Sequence, residues 1–190
     1  MRLQDFVVHP IAKEAKLSEA MVAALRFYTT AAYKSINAPL RDQGSAKPHP
    51  LPITVGLICK ALKKLRKFDA HSTSSFLYRG LKNTAPVQDL LDGGGGGTEL
   101  AVMSTTSSLK VAMQYAASQK PLLLRISSDN YLNRGPEISF LSAFPDECEF
   151  VYPPLTYLQP TGSPCEKLCV YDKDFYPIEF TVINVKPTMA

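Results

Sequence analysis

The order in which two periodicities occur along the chain constrains its fold more than any single motif. Through about the first seventy residues, apolar side chains recur every three or four positions, the spacing of one helix face. Leu17, Met21, Leu25, Tyr28, Ala32 and Ile36 mark one such face, with Ser18 as N-cap, Glu19 well placed in the first turn and Asn37 ahead of Pro39 as its end. A loop rich in Gly, Ser, Lys and Pro (Pro48, Pro50, Pro52) leads to a second helix with Val55, Ile58, Leu62, Leu65 and Phe68 inward. His71 and Ser75 bound a break in the pattern, and from Phe76 onward short apolar runs take over, as in strands. Strands are expected at 76–80, 100–103, 121–126, 138–141, near 155–158 and at 178–185. One further helix, with Leu109, Ala112, Met113 and Ala116 inward and Thr106 or Ser107 as N-cap, sits among them. Helices followed by strands predict an α+β fold, not alternating βαβ units.

The remaining bulk properties exclude more than they assign. A chain of 190 residues suits one domain with one sizeable core, and 45% apolar with 20% charged residues is ordinary globular composition. The formal charge of +4 favours the approach of an anion but is too small to argue for nucleic acid. On the second helix Lys60, Lys63, Lys64, Arg66 and Lys67 form either a solvated face or an anion-binding patch. No apolar run approaches the length of a membrane span, and Asp5, His9, Lys13 and Glu14 interrupt any signal-like start, so an intracellular setting is the expectation. Cys59, Cys148, Cys165 and Cys169 are too irregular for a disulfide framework, and no His or Cys pair completes a zinc site around Cys165 and Cys169.

Three places carry chemistry. Arg79 lies within the apolar run Phe76, Leu77, Tyr78, where an unpaired guanidinium is expensive. It must meet either a protein carboxylate or a bound anion such as a phosphate. Gly93 to Gly97 precede Thr98 and Glu99 without the Gly-Lys-Ser/Thr of a phosphate loop or the spacing of a dinucleotide fingerprint, so they read as a flexible linker. Ser104, Thr105, Thr106 and Ser107 then place four hydroxyls at a strand-to-helix junction, where they cap the helix or bind a ligand. Finally, Glu147 and Glu149 follow a Pro145-Asp146 turn. On an extended strand they would share one face about 6.5–7 Å apart, a separation useful in glycosidic-bond chemistry.

Taken in order, Leu77-Tyr78-Arg79-Gly80, Met103-Ser104-Thr105-Thr106 and Glu147-Cys148-Glu149 resemble the arginine-serine-glutamate class of mono-ADP-ribosyltransferases. That class includes cholera-like and clostridial-type toxins and animal ecto-enzymes. Phe27-Tyr28-Thr29-Thr30 with Ile36-Asn37-Ala38-Pro39-Leu40-Arg41 looks like its N-terminal helix signature. Residues 137–154, from Glu137-Ile138-Ser139 through Ser142-Ala143-Phe144-Pro145 to Tyr152-Pro153-Pro154, look like the surroundings of its third motif. Thr106 stands where many members have Ser, the five glycines are unusual, and the ecto-enzymes' disulfides and export signal are not evident.

The resemblance implies an ADP-ribosyltransferase-like α+β fold: a helical part near 10–70, then a split two-sheet, mainly antiparallel core near 75–187 around an NAD cleft. It implies NAD as co-substrate, no metal, and an acceptor protein with an exposed arginine. Arg79 would pair with an NAD phosphate and ribose, and Gly80 would let the ligand approach the backbone. Ser104 would bond the nicotinamide-side ribose and orient Glu149, while Thr105 and Thr106 shape the turn. Glu149 would stabilise the ribosyl cation as nicotinamide leaves, and Glu147 would position the acceptor guanidinium and help remove its proton. Phe144 would meet the protein substrate or merely pack the turn, and Tyr131 and Asn133 would reach the NAD phosphate–nicotinamide region. The alternatives are an NAD glycohydrolase on the same fold, a catalytically silent binding module, and nucleic-acid binding through the Lys-rich helix. A secreted effector remains compatible with the sequence.

Overall fold

The computed structural model describes residues 2–42, 44, 46–68, 76–82, 95–128, 130–163, 165–171 and 175–189. The expected break at 71–75 and the first two glycines of the run, Gly93 and Gly94, lie outside the described residues. Among the described residues five helices come first: α1 (Leu3–Val7), α2 (Pro10–Glu14), α3 (Glu19–Tyr28), α4 (Tyr33–Arg41) and α5 (Pro52–Leu65). One more described helix, α6 (Leu109–Ala116), lies among the eight described strands: β1 (Phe76–Leu81), β2 (Gly97–Glu99), β3 (Met103–Thr106), β4 (Leu122–Ser127), β5 (Glu149–Tyr152), β6 (Thr156–Pro160), β7 (Glu166–Tyr171) and β8 (Pro177–Thr188). None of the described helices is long and apolar enough to cross a membrane.

Several local expectations need correction. The first long helix is two: Ser18 caps α3 by accepting from the Met21 N–H at 3.3 Å, but the helix stops at Tyr28, and the Thr29 and Thr30 hydroxyls donate back to the Arg26 and Phe27 carbonyls. Ile36 keeps the apolar period across this break, which is why the spacing does not reveal it. Asn37 does not end a helix; it is buried inside α4, and Pro39 lies within that helix as well. Residues 138–141 form a helical turn, with the Ser142 N–H on the Ile138 carbonyl, not a strand. Residues 100–102 lie outside the strands, and the N-cap of α6 is Ser108. β2 and β7 were not anticipated, nor were α1 and α2 as separate turns.

The strands hydrogen-bond in the order β2-β6-β8-β4-β1-β3-β5, with β7 beside β8, and every pairing is antiparallel except β4 with β8. β4 is buried on both sides, so its alternate residues serve two cores: Leu122, Leu124 and Ile126 pack with Leu77, Phe150 and Ile183, whereas Leu123 packs with Ala112 and Ala116 of α6. A third core joins the helices to the sheet through Val102, Ile138, Leu141 and Val151. β1 and β3 share a single register pair, Tyr78 with Thr106, whereas β1 and β4 share six. The sheet therefore opens between Arg79 and Ser104, and a cleft lined by both residues lies at that opening.

Candidate active site

Arg79, Ser104 and Glu149 sit on three successive strands, β1, β3 and β5. Ser104 links its two neighbours. Arg79 Nη1 donates to the Ser104 carbonyl at 3.3 Å, and Ser104 Oγ donates to Glu149 Oε1 at 2.7 Å. A row running from cation to hydroxyl to carboxylate thus crosses the strands where the ladder is open.

Glu149 is buried, and both its oxygens are held. Ser142 Oγ donates to Oε2 at 3.2 Å, opposite the Ser104 bond. Burial pushes the Glu149 carboxyl above the usual carboxylate range; the two serine hydroxyls pull it down, and the nearby Glu147 charge pushes it up further. Behind Ser104, the Tyr28 hydroxyl lies 2.8 Å from Ser104 Oγ and 3.2 Å from the Val102 carbonyl. A serine has one proton to give, and an ionised carboxylate can only accept, so Tyr28 is the donor to Ser104 and Ser104 the donor to Glu149. Burial holds the Tyr28 phenol at about 12, so that donor proton stays in place.

Glu147 is not on the strand. Residues Pro145–Glu147 form a 3-10 turn, and Cys148 takes a left-handed conformation (φ 48°, ψ 56°) before β5 begins at Glu149. The same-face extended pair expected from the sequence is therefore replaced by a turn that leaves Glu147 at the cleft mouth and Glu149 inside. Thr106 Oγ1 fixes the turn by donating to the Glu147 carbonyl at 2.6 Å. Thr105 is buried in the sheet and donates to the Phe150 carbonyl at 2.9 Å. The Tyr115 hydroxyl on α6 donates to Glu147 Oε1 at 2.8 Å and is pushed up to about 12 by partial burial and by the Glu147 carboxylate. Tyr115 and Phe144 are 51% and 56% exposed, so the mouth carries aromatic surface on either side of Glu147.

At the other strand Arg79 meets a protein carboxylate, Glu99, at 3.1 Å. Glu99 also receives Arg41 on both oxygens, at 2.9 and 3.0 Å. Burial alone would raise the Glu99 carboxyl, but the Arg41 hydrogen bonds, the Arg79 charge and the Ala101 N–H hold it below the usual range. The cleft encloses about 690 Å³, within the span usual for small-molecule sites, and is lined by Lys34, Arg41, Arg79 and Lys82 as cations and by Glu147 and Glu149 as anions.

All eight site residues expected from the sequence except Thr105 have a clear place at this cleft or its turn; Thr105 lines it while its hydroxyl serves the sheet. Gly80 lines the cleft too, but its lack of a side chain also answers to α6: a Cβ there would lie 2.1 Å from the Ala112 carbonyl oxygen. Asn133 is not among the lining residues, and the Tyr131 side chain lies outside the described residues. The Lys-rich face of α5 is largely solvated, with Lys64 turned onto the Lys16 carbonyl. Sequence reasoning missed Glu99 and Tyr115. It quoted Tyr28, Arg41 and Ser142 within the resembling segments without giving any of them a task at the site. Among the described residues no group of three or more His, Cys, Asp or Glu is placed to hold a metal.

No protein-family model matches the sequence, and no curated protein matches it. Solved structures do. The ADP-ribosyltransferase HopU1 of Pseudomonas syringae pv. tomato DC3000 aligns with a TM-score of 0.68 at 20% identity, over 96% of this chain and 82% of its own. Vis toxin, an ADP-ribosyltransferase from Vibrio splendidus, aligns in its agmatine complex at 0.64 and 17%, over 99% and 83%. Exoenzyme S from Pseudomonas aeruginosa, in complex with human 14-3-3 protein beta and bound to Carba-NAD, aligns at 0.59 and 18%, over 96% and 86%. At these identities the shared property is architecture: helices against a mixed, mostly antiparallel sheet. The chain has the fold of the bacterial mono-ADP-ribosyltransferase toxins.

Proposed function

We propose that this protein transfers ADP-ribose from NAD to an arginine side chain of an acceptor protein, releasing nicotinamide. The observation that carries the reading is Glu149: a buried carboxylate gripped by Ser104 at 2.7 Å, facing a cleft into which the strand beyond Ser104 presents Arg79. The Carba-NAD complex of exoenzyme S and the agmatine complex of Vis support the two halves of the proposal, a dinucleotide donor and a guanidine acceptor.

Arg79, with Arg41, Lys34 and Lys82 around the cleft, supplies cations for the NAD diphosphate. The bond from the ribose C1′ to the nicotinamide nitrogen breaks with its electron pair leaving on nicotinamide. Positive charge grows on the ribose. Glu149, fixed by two serines before the reaction starts, is complementary to that charge as it forms and costs no reorganisation. A guanidinium nitrogen then attacks C1′. An arginine is protonated at any ordinary pH and is a poor nucleophile until a proton departs, so Glu147 at the mouth both attracts it and takes that proton. Phe144 and Tyr115 offer aromatic faces to the incoming cation.

The test uses labelled NAD with agmatine as acceptor. Glu149→Gln is expected to abolish NAD cleavage with either acceptor. Glu147→Gln is expected to suppress the agmatine adduct by at least about a hundredfold, the scale of a general base, while much of the hydrolysis by water survives. Equal loss of both activities in Glu147→Gln would refute the division between the two carboxylates, and an unreactive wild type would refute the function.

A further inference from the structure

We infer that Glu99 is the positioning residue of the diphosphate site, holding Arg41 and Arg79 together so that both face one bound anion; the inference rests on the function proposed above. Glu99 receives four N–H donors: Arg41 Nε at 2.9 Å and Nη2 at 3.0 Å, Arg79 Nη2 at 3.1 Å, and the Ala101 N–H at 3.0 Å. Both carboxylate oxygens are engaged. Arg41 and Arg79 line the cleft, and Glu99 is not among the residues that do, so the carboxylate stands behind the two cations instead of between them and a ligand.

The elements involved make the arrangement informative. Arg41 is the last residue of α4, in the helical part, and Arg79 is on β1, in the sheet. Glu99 closes β2 at the far edge of the strand order. Two guanidiniums on one carboxylate would otherwise repel each other, and Arg79, only 16% exposed, would lack a fixed counter-charge. A guanidinium has five N–H donors, so Glu99 and the Ser104 carbonyl leave both arginines with donors for an anion on the cleft side. Without Glu99 the cleft gains net positive charge but loses the geometry that aims it. Pre-set geometry matters more here, because ordering two long side chains at the moment of binding subtracts from affinity.

The experiment measures ADP-ribose affinity and nicotinamide inhibition in wild type, Glu99→Gln and Glu99→Ala, beside NAD cleavage kinetics. ADP-ribose carries the diphosphate and nicotinamide does not. Both variants are expected to bind ADP-ribose about tenfold or more weakly, as loss of charge-assisted bonds to a ligand predicts. KM for NAD rises with it, whereas kcat and nicotinamide inhibition stay near wild type. Should Glu99→Ala fail to fold, the near-isosteric Glu99→Gln carries the same readings beside its unfolding temperature. Unchanged or tighter ADP-ribose binding overturns the inference, since Glu99 would then be idle or a competitor for the arginines. Parallel loss of ADP-ribose and nicotinamide also overturns it, as general damage to the cleft. A wild type that binds neither ligand instead refutes the function on which the inference rests.

Discussion

At the residue scale, Glu149 is held under opposing influences whose balance sets when it can act. Burial raises its carboxyl, the Ser104 and Ser142 hydroxyls favour the ionised form, and the Glu147 charge disfavours it. The net result is a raised value, and the proposed reaction needs the carboxylate. NAD cleavage should therefore fall, as pH drops, along an acid limb lying above the ordinary carboxylate range. Glu147→Gln removes a like charge, so the limb should move to lower pH. Ser142→Ala removes a donor to the ionised form, so it should move to higher pH. Profiles of kcat/KM for NAD hydrolysis against pH in the three proteins check both signs; an upward move in Glu147→Gln would mean that the group being titrated is not Glu149. The two glutamates were readable in the sequence because they stand two residues apart, just after a Pro-Asp turn signal. Glu99 was not. It follows a glycine run, where a charge reads as solvated, and its partners lie 20 and 58 residues away. Ser142 was hidden differently: its hydroxyl became informative only once residues 138–141 proved to be a helical turn that brings it to Glu149.

At the scale of elements, the contact of α6 with β1 is set by Gly80. A Cβ at that position would lie 2.1 Å from the Ala112 carbonyl oxygen and 2.6 Å from the Ala116 nitrogen, both backbone atoms of the helix. Backbone cannot step aside as the end of a side chain can, so α6 must shift as a body. Gly80→Ala is expected to destabilise the fold by about 1–3 kcal/mol, the usual cost of overpacking. Thermal unfolding measures it as a drop of roughly 2–4 °C per kcal/mol for a chain of this size. Since α6 carries Tyr115 to Glu147, agmatine transfer should suffer more than hydrolysis. Gly80→Ala with wild-type stability would show that the helix and strand are not in tight contact. The strands that the sequence revealed include β1, β4 and β8, with concentrated apolar residues at the centre of the sheet, and β6 beside them. β2, three residues long, and β7, exposed or half-buried throughout, lack enough burial to write themselves into the sequence. The glycine run reads as a linker for the same reason, yet Gly96 (φ +70°) packs against Tyr157 and Leu158, and Gly97 begins β2.

At the scale of the whole molecule, the helical part is a wall of the site and not an appendage to it. Asn37 Nδ2 donates to the Val102 carbonyl just ahead of Ser104, the Tyr28 hydroxyl lies 3.2 Å from the same oxygen, and Thr29 accepts from the Ala143 N–H. Arg26 Nη1 donates to the Leu141 and Ser142 carbonyls at 2.9 and 3.0 Å, with its guanidinium carbon 4.1 Å from the centre of the Phe6 ring. These bonds fix the segment that presents Ser142 to Glu149 and leads into Phe144, although Arg26 does not itself line the cleft. Hence a residue on α3 with no reach to substrate should govern the rate. Arg26→Ala removes charge-assisted hydrogen bonds to two carbonyls and the stack on Phe6, a loss of about 2 kcal/mol. The unfolding temperature should fall by roughly 4–8 °C on that estimate. Well below that temperature, kcat for NAD hydrolysis should also fall, because Ser142 no longer holds the second oxygen of Glu149 in place. Arg26→Lys keeps the charge but not the fork, so it should lie between the two. The decisive comparison is with Ser142→Ala: if Arg26 acts through Ser142, adding Arg26→Ala to Ser142→Ala should cost less rate than it does in wild type. Full additivity of the two losses would place the effect of α3 elsewhere and leave the helices as support alone.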